Sequence, residues 1–159
     1  GDLSLRLGKV RFSPQYRLEQ RGAPPIVRGR IEALYSYQWR GRPLVYHPSF
    51  TATFDPTDGE LISIGARPPR PSIITNPGDP ISHEEAKSLA TLAPHSFLPH
   101  REAEIIQLGW LLDSTNTKAR LVYFFQRSET IVEHVLIDAV TGDSIRTLLL
   151  EGTYTPDKP

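Results

Sequence analysis

The amino-acid sequence predicts an α+β fold, in which antiparallel sheets carry a single helix and two subdomains pack together. Three observations predict it: most apolar segments alternate with polar residues at a period of two, one segment has the period of a helix, and a proline-dense stretch separates the two halves. A chain of 159 residues is long enough to bury a core without covalent cross-links.

The first half of the chain, residues 1–66, predicts a β-rich subdomain. Residues 3–12 alternate, and Gly8 interrupts the alternation as a β-bulge would. Residues 14–29 show little periodicity and predict an ordered loop, or a short helix around 16–20, so 1–29 stays unassigned beyond its first strand. Residues 31–39, 50–54 and 61–64 predict three further strands, separated by turns at 40–43 and 55–59.

The second half predicts one helix and a four-stranded meander. Residues 67–80 hold five prolines and predict a stiff, extended connection between the subdomains. Ser82 fits a helix N-cap with Glu85 as its capping-box partner, and Pro94 ends the helical pattern. Strands are predicted at 104–112, 121–125, 131–137 and 145–150; the second of these is apolar throughout and should be central. Residues 81–150 thus form a second subdomain, followed by an extended tail at 151–159.

Two segments share one pattern. Residues 50–64 and 131–145 each have a strand, an aspartate-led turn that closes on glycine, and another strand. Gly59 and Gly142 occupy the position where a positive φ favours a residue without Cβ. The pattern predicts two turns of the same kind.

Composition excludes several classes of function. Eighteen basic residues balance eighteen acidic ones, so the net charge provides no strong field for nucleic acid or an anionic membrane. Cysteine is absent, which removes disulfides and thiolate chemistry. The apolar runs are far shorter than the ~20 residues that a spanning helix needs, so no membrane insertion is expected. Because the chain begins at Gly1 without a methionine, we expect a processed or excised piece.

The candidates for catalysis or metal binding are weak. His83 and Glu84 begin like a His-Glu-x-x-His motif, but Lys87 stands where the second histidine is required. The remaining candidates follow no ligand spacing, resemble an ordinary half-buried histidine, or lie in turns that favour aspartate for backbone hydrogen bonds: His95, His100, Glu102, Glu104, His134, Asp55, Asp58 and Asp138. We predict no catalytic residue, no metal and no cofactor, and therefore no enzyme.

Several motifs carry a resemblance to known families. Residues 81–86 (ISHEEA), 119–123 (ARLVY) and 135–142 (VLIDAVTG) resemble the PepSY domain in order and spacing. Upstream, residues 35–44 (YSYQWRGRPL) and 54–65 (FDPTDGELISIG) resemble the fungalysin/thermolysin propeptide domain. The resemblance covers about residues 30–150, in the order found ahead of thermolysin-like catalytic domains. It implies two cystatin-like or PepSY-like subdomains.

The resemblance also implies a function. Such a prosegment is a secreted or cell-envelope protein that inhibits a thermolysin-like zinc metalloprotease and assists its folding, so the expected partner is the catalytic domain, in cis or in trans. Candidate partner-binding residues are the aromatic stripe Tyr35, Tyr37 and Trp39, and Glu151 and Tyr154 of the tail. Two alternatives stay open: the stripe is the core face of a sheet, and the chain is an envelope interaction module without a protease partner.

Overall fold

The computed structural model describes residues 2–17, 26–65, 67–93, 102–128 and 132–150. The chain divides into two compact units, Gly1–Arg70 and Pro71–Pro159. Among the described residues, strands make up more than half and helix less than a tenth. The predicted α+β class is therefore wrong, because the described part is largely β-sheet with one short helix. The class was misjudged because residues assigned to a loop or short helix in the first half belong to two long strands.

The first unit is an antiparallel sheet of five strands: β1 (Leu3–Arg17), β2 (Ile26–Trp39), β3 (Arg42–Val45), β4 (Phe50–Phe54) and β5 (Leu61–Gly65). Strand β2 pairs with β1 along one edge and with β3 and β4 along the other, and β4 pairs with β5. The bulge predicted at Gly8 is confirmed, because the β1–β2 register shifts between Leu7 and Lys9.

The loop predicted over residues 14–29 is wrong where the structure describes it. Strand β1 continues to Arg17 and β2 begins at Ile26, while residues 18–25 lie outside the described part. Pro14 faces Gly29 across the pair, which suits an edge strand, where a missing N–H is tolerated. A Cβ at position 29 would lie 2.0 Å from the ring of Phe12. The absence of a side chain at Gly29 therefore leaves room for the Phe12 ring.

The second unit is a four-stranded antiparallel meander with a two-residue bridge strand and a helix. Its elements are β6 (Ile73–Ile74), α1 (His83–Thr91), β7 (Glu104–Leu112), β8 (Lys118–Ser128), β9 (Val132–Asp138) and β10 (Ser144–Leu150). The strand order is β7-β8-β9-β10, and β6 pairs in parallel with the first residues of β8. Residues 121–125 are buried throughout, which confirms the central position predicted for this strand.

Helix α1 begins as its sequence predicts. The Ser82 hydroxyl accepts a hydrogen bond from the Glu85 backbone N–H at 3.2 Å. Ala86 and Ala90 are fully buried, and α1 contacts β8 and β9. The small side chains let the helix lie close to the sheet.

The two aspartate-led turns have the same hydrogen bonds, as their shared pattern predicts. In each, the aspartate N–H donates to the carbonyl five residues on at 2.8 Å, and the glycine N–H returns to the aspartate carbonyl, at 2.8 Å for Gly59 and 2.9 Å for Gly142. The aspartate Oδ1 of each accepts the N–H two residues on, at 2.8 Å. The glycine φ angles are +75° and +79°.

Candidate functional site

The aromatic stripe on β2 is mostly buried. Tyr37 and Trp39 are each 4% exposed, while Tyr35 is half-buried and meets Phe50 edge-to-face at 5.9 Å between ring centroids. Burial of two of the three rings favours the alternative in which the stripe is a core face. The other two candidates, Glu151 and Tyr154, lie outside the described residues.

Of the two tyrosines in the stripe, Tyr37 is the buried one. Its ring makes edge contacts with His47 and Phe50, at 5.3 Å and 6.3 Å between centroids. The hydroxyl is buried and has no hydrogen-bond partner within the described ranges. Burial raises the pKa of Tyr37, so the phenol stays neutral and acts as an apolar ring in the core.

The exposed apolar surface of the first unit lies on its outer strands. Strand pairing places Leu7 opposite Tyr35 and Phe12 opposite Ile31 in β2, and Ile64 opposite Ala52 in β4. Opposite residues of an antiparallel pair share a face. The apolar face of the outer strands consists of six side chains that are 45% to 58% exposed: Leu5, Leu7, Val10, Phe12, Leu61 and Ile64. Large apolar groups this exposed are a signal of binding to another molecule.

The opposite face of β1 is cationic. Arg6, Lys9 and Arg11 are exposed and alternate along β1 with the apolar residues. Arg11 pairs with Glu32 of β2 at 2.5 Å. Arg6 and Lys9 have no ion pair within the part of the chain that the structure covers. Two cations of this face therefore remain available to an acidic partner.

Charge is segregated along the chain, although the total is zero. Residues 1–30 contain seven basic and two acidic side chains, a net charge of +5, and residues 31–159 contain eleven basic and sixteen acidic ones, a net charge of −5. The total charge of zero, from which the absence of a strong field was predicted, hides this segregation. A count by segment would have found the basic β1–β2 hairpin from the sequence.

The second unit contains a buried polar cluster around Asp138. Burial by itself raises the pKa of this carboxyl, but hydrogen bonds from the N–H groups of Thr141 and Val140, from Asn76 and from Arg120 hold the pKa at about 2. Asn76 Nδ2 donates to Asp138 Oδ1 at 3.0 Å, and Arg120 Nε to Oδ2 at 2.6 Å. The carboxylate thus ties the proline-rich segment, β8 and the β9–β10 turn together.

A buried ion pair lies beneath α1. Arg127 of β8 and Glu133 of β9 are both fully buried, with 3.9 Å between Nε and Oε2, and they face each other across the strand pair. Arg127 also donates from Nη2 to the Ala90 carbonyl at the C-terminal end of α1. A cation at this end complements the helix dipole. Arg127 thus links the helix to the sheet. Neither residue stands out in the sequence, because nothing local indicates that they face each other.

The candidates for catalysis occupy structural positions where they are described. His83 lies edge-on to Tyr123 at 5.2 Å, and His134 to Phe124 at 4.6 Å. Burial lowers the pKa of His134. Asp55 and Asp58 accept backbone N–H groups in their turn. The described residues contain no group of three or more side chains placed to hold a metal ion, and His95 and His100 lie outside them.

Comparison with known proteins assigns no family. No protein-family model matches the chain, and no curated protein matches it. Within the described segments, no helix is both long and apolar enough to cross a lipid bilayer. The candidate site therefore rests on the geometry of the first-unit sheet.

Proposed function

We propose that this chain is a non-catalytic, propeptide-type protein that inhibits a secreted thermolysin-like zinc metalloprotease and assists its folding. The observation that carries a binding role is the exposed apolar face of the outer strands, from Leu5 to Phe12 in β1 and at Leu61 and Ile64 in β5. Apolar groups on sheet edges favour association with another protein. The choice of a metalloprotease rests on the sequence motifs that resemble the prosegment domains, and so does the secreted or cell-envelope location.

Both activities follow from binding without any reacting side chain. A surface that binds the folded catalytic domain but not its unfolded chain stabilises the folded form by mass action. The gain rises by about 1.4 kcal/mol for each tenfold by which the effective concentration exceeds Kd. The same docked sheet obstructs the substrate cleft. Inhibition and assisted folding are then two consequences of one interface.

The test is a titration against a thermolysin-like metalloprotease with a small peptide substrate at neutral pH. We expect stoichiometric inhibition that survives added zinc. The double substitution Leu7→Thr/Val10→Thr keeps strand propensity but removes apolar surface, and should weaken inhibition by about tenfold or more. The matched control is Ile105→Thr/Ile106→Thr in β7, where the two side chains are 41% and 48% exposed; it should inhibit as the parent does.

Two outcomes would count against the proposal. Absence of inhibition, with the protein intact after incubation, would remove the protease partner and leave an envelope interaction module as the function. Equal losses in the β1 and β7 variants would show that the inhibitory surface is not the apolar face of the outer strands. A refolding assay of the denatured protease, with and without the chain, tests the chaperone activity separately.

A further inference from the structure

We propose that the outer edge of β1 binds an extended segment of its partner in which apolar residues alternate with acidic ones, so that the segment adds a strand to the first-unit sheet. This inference rests on the proposed function in requiring a protein partner, and it adds where that partner binds and what its sequence must provide. Three features of β1 carry it: its backbone edge, its alternating side chains and its charge.

The backbone edge is long. Strand β1 spans 15 residues, and β2 is the one strand with which it pairs among those described. The backbone N–H and C=O groups on the other side of an edge strand offer hydrogen bonds to an added strand. An extended peptide is the partner whose own backbone complements such an edge.

The side chains of β1 indicate which residue types an added strand should contain. Neighbouring strands place directly opposite residues on the same face, with Cβ atoms about 5 Å apart. On one face an added strand would meet Leu5, Leu7 and Val10, and on the other it would meet Arg6 and Lys9. Apolar side chains suit the first face and carboxylates suit the second. The complementary segment therefore alternates between the two types.

The charge of β1 disfavours the other occupants. Pairing with β1 of a second copy would bring the cations of both strands together on one face, and like charges opposite each other destabilise a strand pair. A nucleic acid or an anionic membrane would meet the cationic face and leave the apolar one unmatched. An alternating apolar and acidic strand satisfies both faces and the backbone together.

The experiment measures binding of a fluorescent peptide to the full chain by anisotropy at low salt. The probe is a capped peptide of about ten residues, the length of a long strand, in which valine alternates with glutamate. The control probe has the same composition with the valines and glutamates in two blocks. We expect the alternating peptide to bind at least about tenfold more tightly than the control. We also expect the amide NMR signals of the protein that shift on binding to belong to β1.

Charge reversal gives the second arm. Arg6→Glu/Lys9→Glu should weaken the alternating peptide by about tenfold or more, since two attractive pairs become repulsive. The control Arg67→Glu/Arg70→Glu makes the same change in net charge at two exposed residues of the same unit, and should alter affinity by less than about threefold. Equal effects of the two reversals would reduce the interaction to general electrostatics and overturn the proposal.

The remaining outcomes separate this inference from the proposed function. Equal binding of the block peptide, shifts that map away from β1, or binding of anionic vesicles or nucleic acid in place of the peptide would overturn strand addition. Peptide binding without protease inhibition would uphold strand addition and reject the protease partner. Full inhibition by Arg6→Glu/Lys9→Glu would leave the inhibitor function standing and reject β1 as its acidic-segment site.

Discussion

Of the aspartates that lead the two matched turns, Asp55 and Asp138, we expect Asp138 to matter more for stability. The substitution Asp138→Asn should therefore destabilise its unit more than Asp55→Asn destabilises the first. The Asp138 side chain is fully buried and accepts hydrogen bonds from two backbone N–H groups, Asn76 and Arg120. Asparagine has nearly the same shape, so the substitution removes the charge and turns one acceptor into a donor. The packing around the turn is otherwise kept.

The magnitude follows from the pKa. The carboxyl of Asp138 has a pKa of about 2 in the folded protein and an ordinary value of 3.8. At about 1.4 kcal/mol for each pH unit between the two, the carboxylate contributes roughly 2 to 3 kcal/mol at neutral pH. The donor introduced by asparagine adds about 1 kcal/mol or more. Because the folded pKa is the lower one, this stability is complete above about pH 4 and is lost as pH falls from there through about 2.

The assay uses the tryptophans, since the chain has two. Trp39 lies in the first unit and Trp110 in the second, and both are buried. Urea unfolding in a Trp39→Phe background therefore reports on the second unit, and in a Trp110→Phe background on the first. The matched control is Asp55→Asn, in a turn with the same backbone bonds, where we expect a loss of less than about 1 kcal/mol.

Three results would refute this reasoning. The first is a loss for Asp138→Asn no larger than for Asp55→Asn. The second is a variant whose stability still falls between pH 4 and pH 2 as steeply as that of the parent. The third is a parent whose second unit is equally stable at both pH values. Any of them would mean that the hydrogen bonds to Asp138 do not favour its charged form.

Further predictions concern the packing of the second unit and its contrast with the first. Glu133→Gln should cost about 3 kcal/mol because it removes the carboxylate that faces the buried Arg127. The double variant Arg127→Met/Glu133→Leu should cost less than either single change, and additive losses in a urea-unfolding cycle would contradict this. Gly59→Ala and Gly142→Ala should each destabilise their unit by about 1 kcal/mol or more, because both glycines have a positive φ. A Cβ at 142 would also lie 2.9 Å from Leu89 Cδ1, but this atom ends a flexible side chain and can move away. Urea unfolding that shows no loss for either variant would contradict the strain argument. His134 should titrate by NMR below the ordinary 6.5, since burial lowers its pKa, and its contribution to stability should decline as pH falls below about 6.5; a midpoint at or above 6.5 would show that burial does not control it.

Strands with strong local patterns were predictable, and strands defined by distant pairing were not. Alternation indicated β1 up to residue 12, and the apolar run indicated the central β8. Residues 13–17 and 26–30 contain Pro14 and Gly29, which look like strand breakers in isolation. In the structure they face each other across an edge pair, and the Phe12 ring lies over the glycine. A non-local pairing made these breakers compatible with a strand, and a local reading of the sequence does not show such a pairing.

The candidate site was missed for a different reason. Alternation identified the aromatic stripe of β2, but alternation has no information on which strands of a sheet are outer ones. The exposed residues are Phe12 and five aliphatic residues of β1 and β5. The basic hairpin was hidden by a total charge of zero, because the sum discards position along the chain. Arg127 and Glu133 meet across a hairpin, and only the register of β8 and β9 brings them together.

The two outer strands of the first unit make different demands on a partner. Both present apolar side chains, but β5 has Ser63 and Gly65 on its second face, where β1 has cations. Strand β5 is also short, at five residues, which limits the backbone bonds that it can add. If β1 adds a strand as proposed, that strand must also neutralise Arg6 and Lys9, whereas β5 sets no such requirement on charge. On this proposal, covering β5 would add affinity through buried apolar area, and the charge of β1 would discriminate between partners.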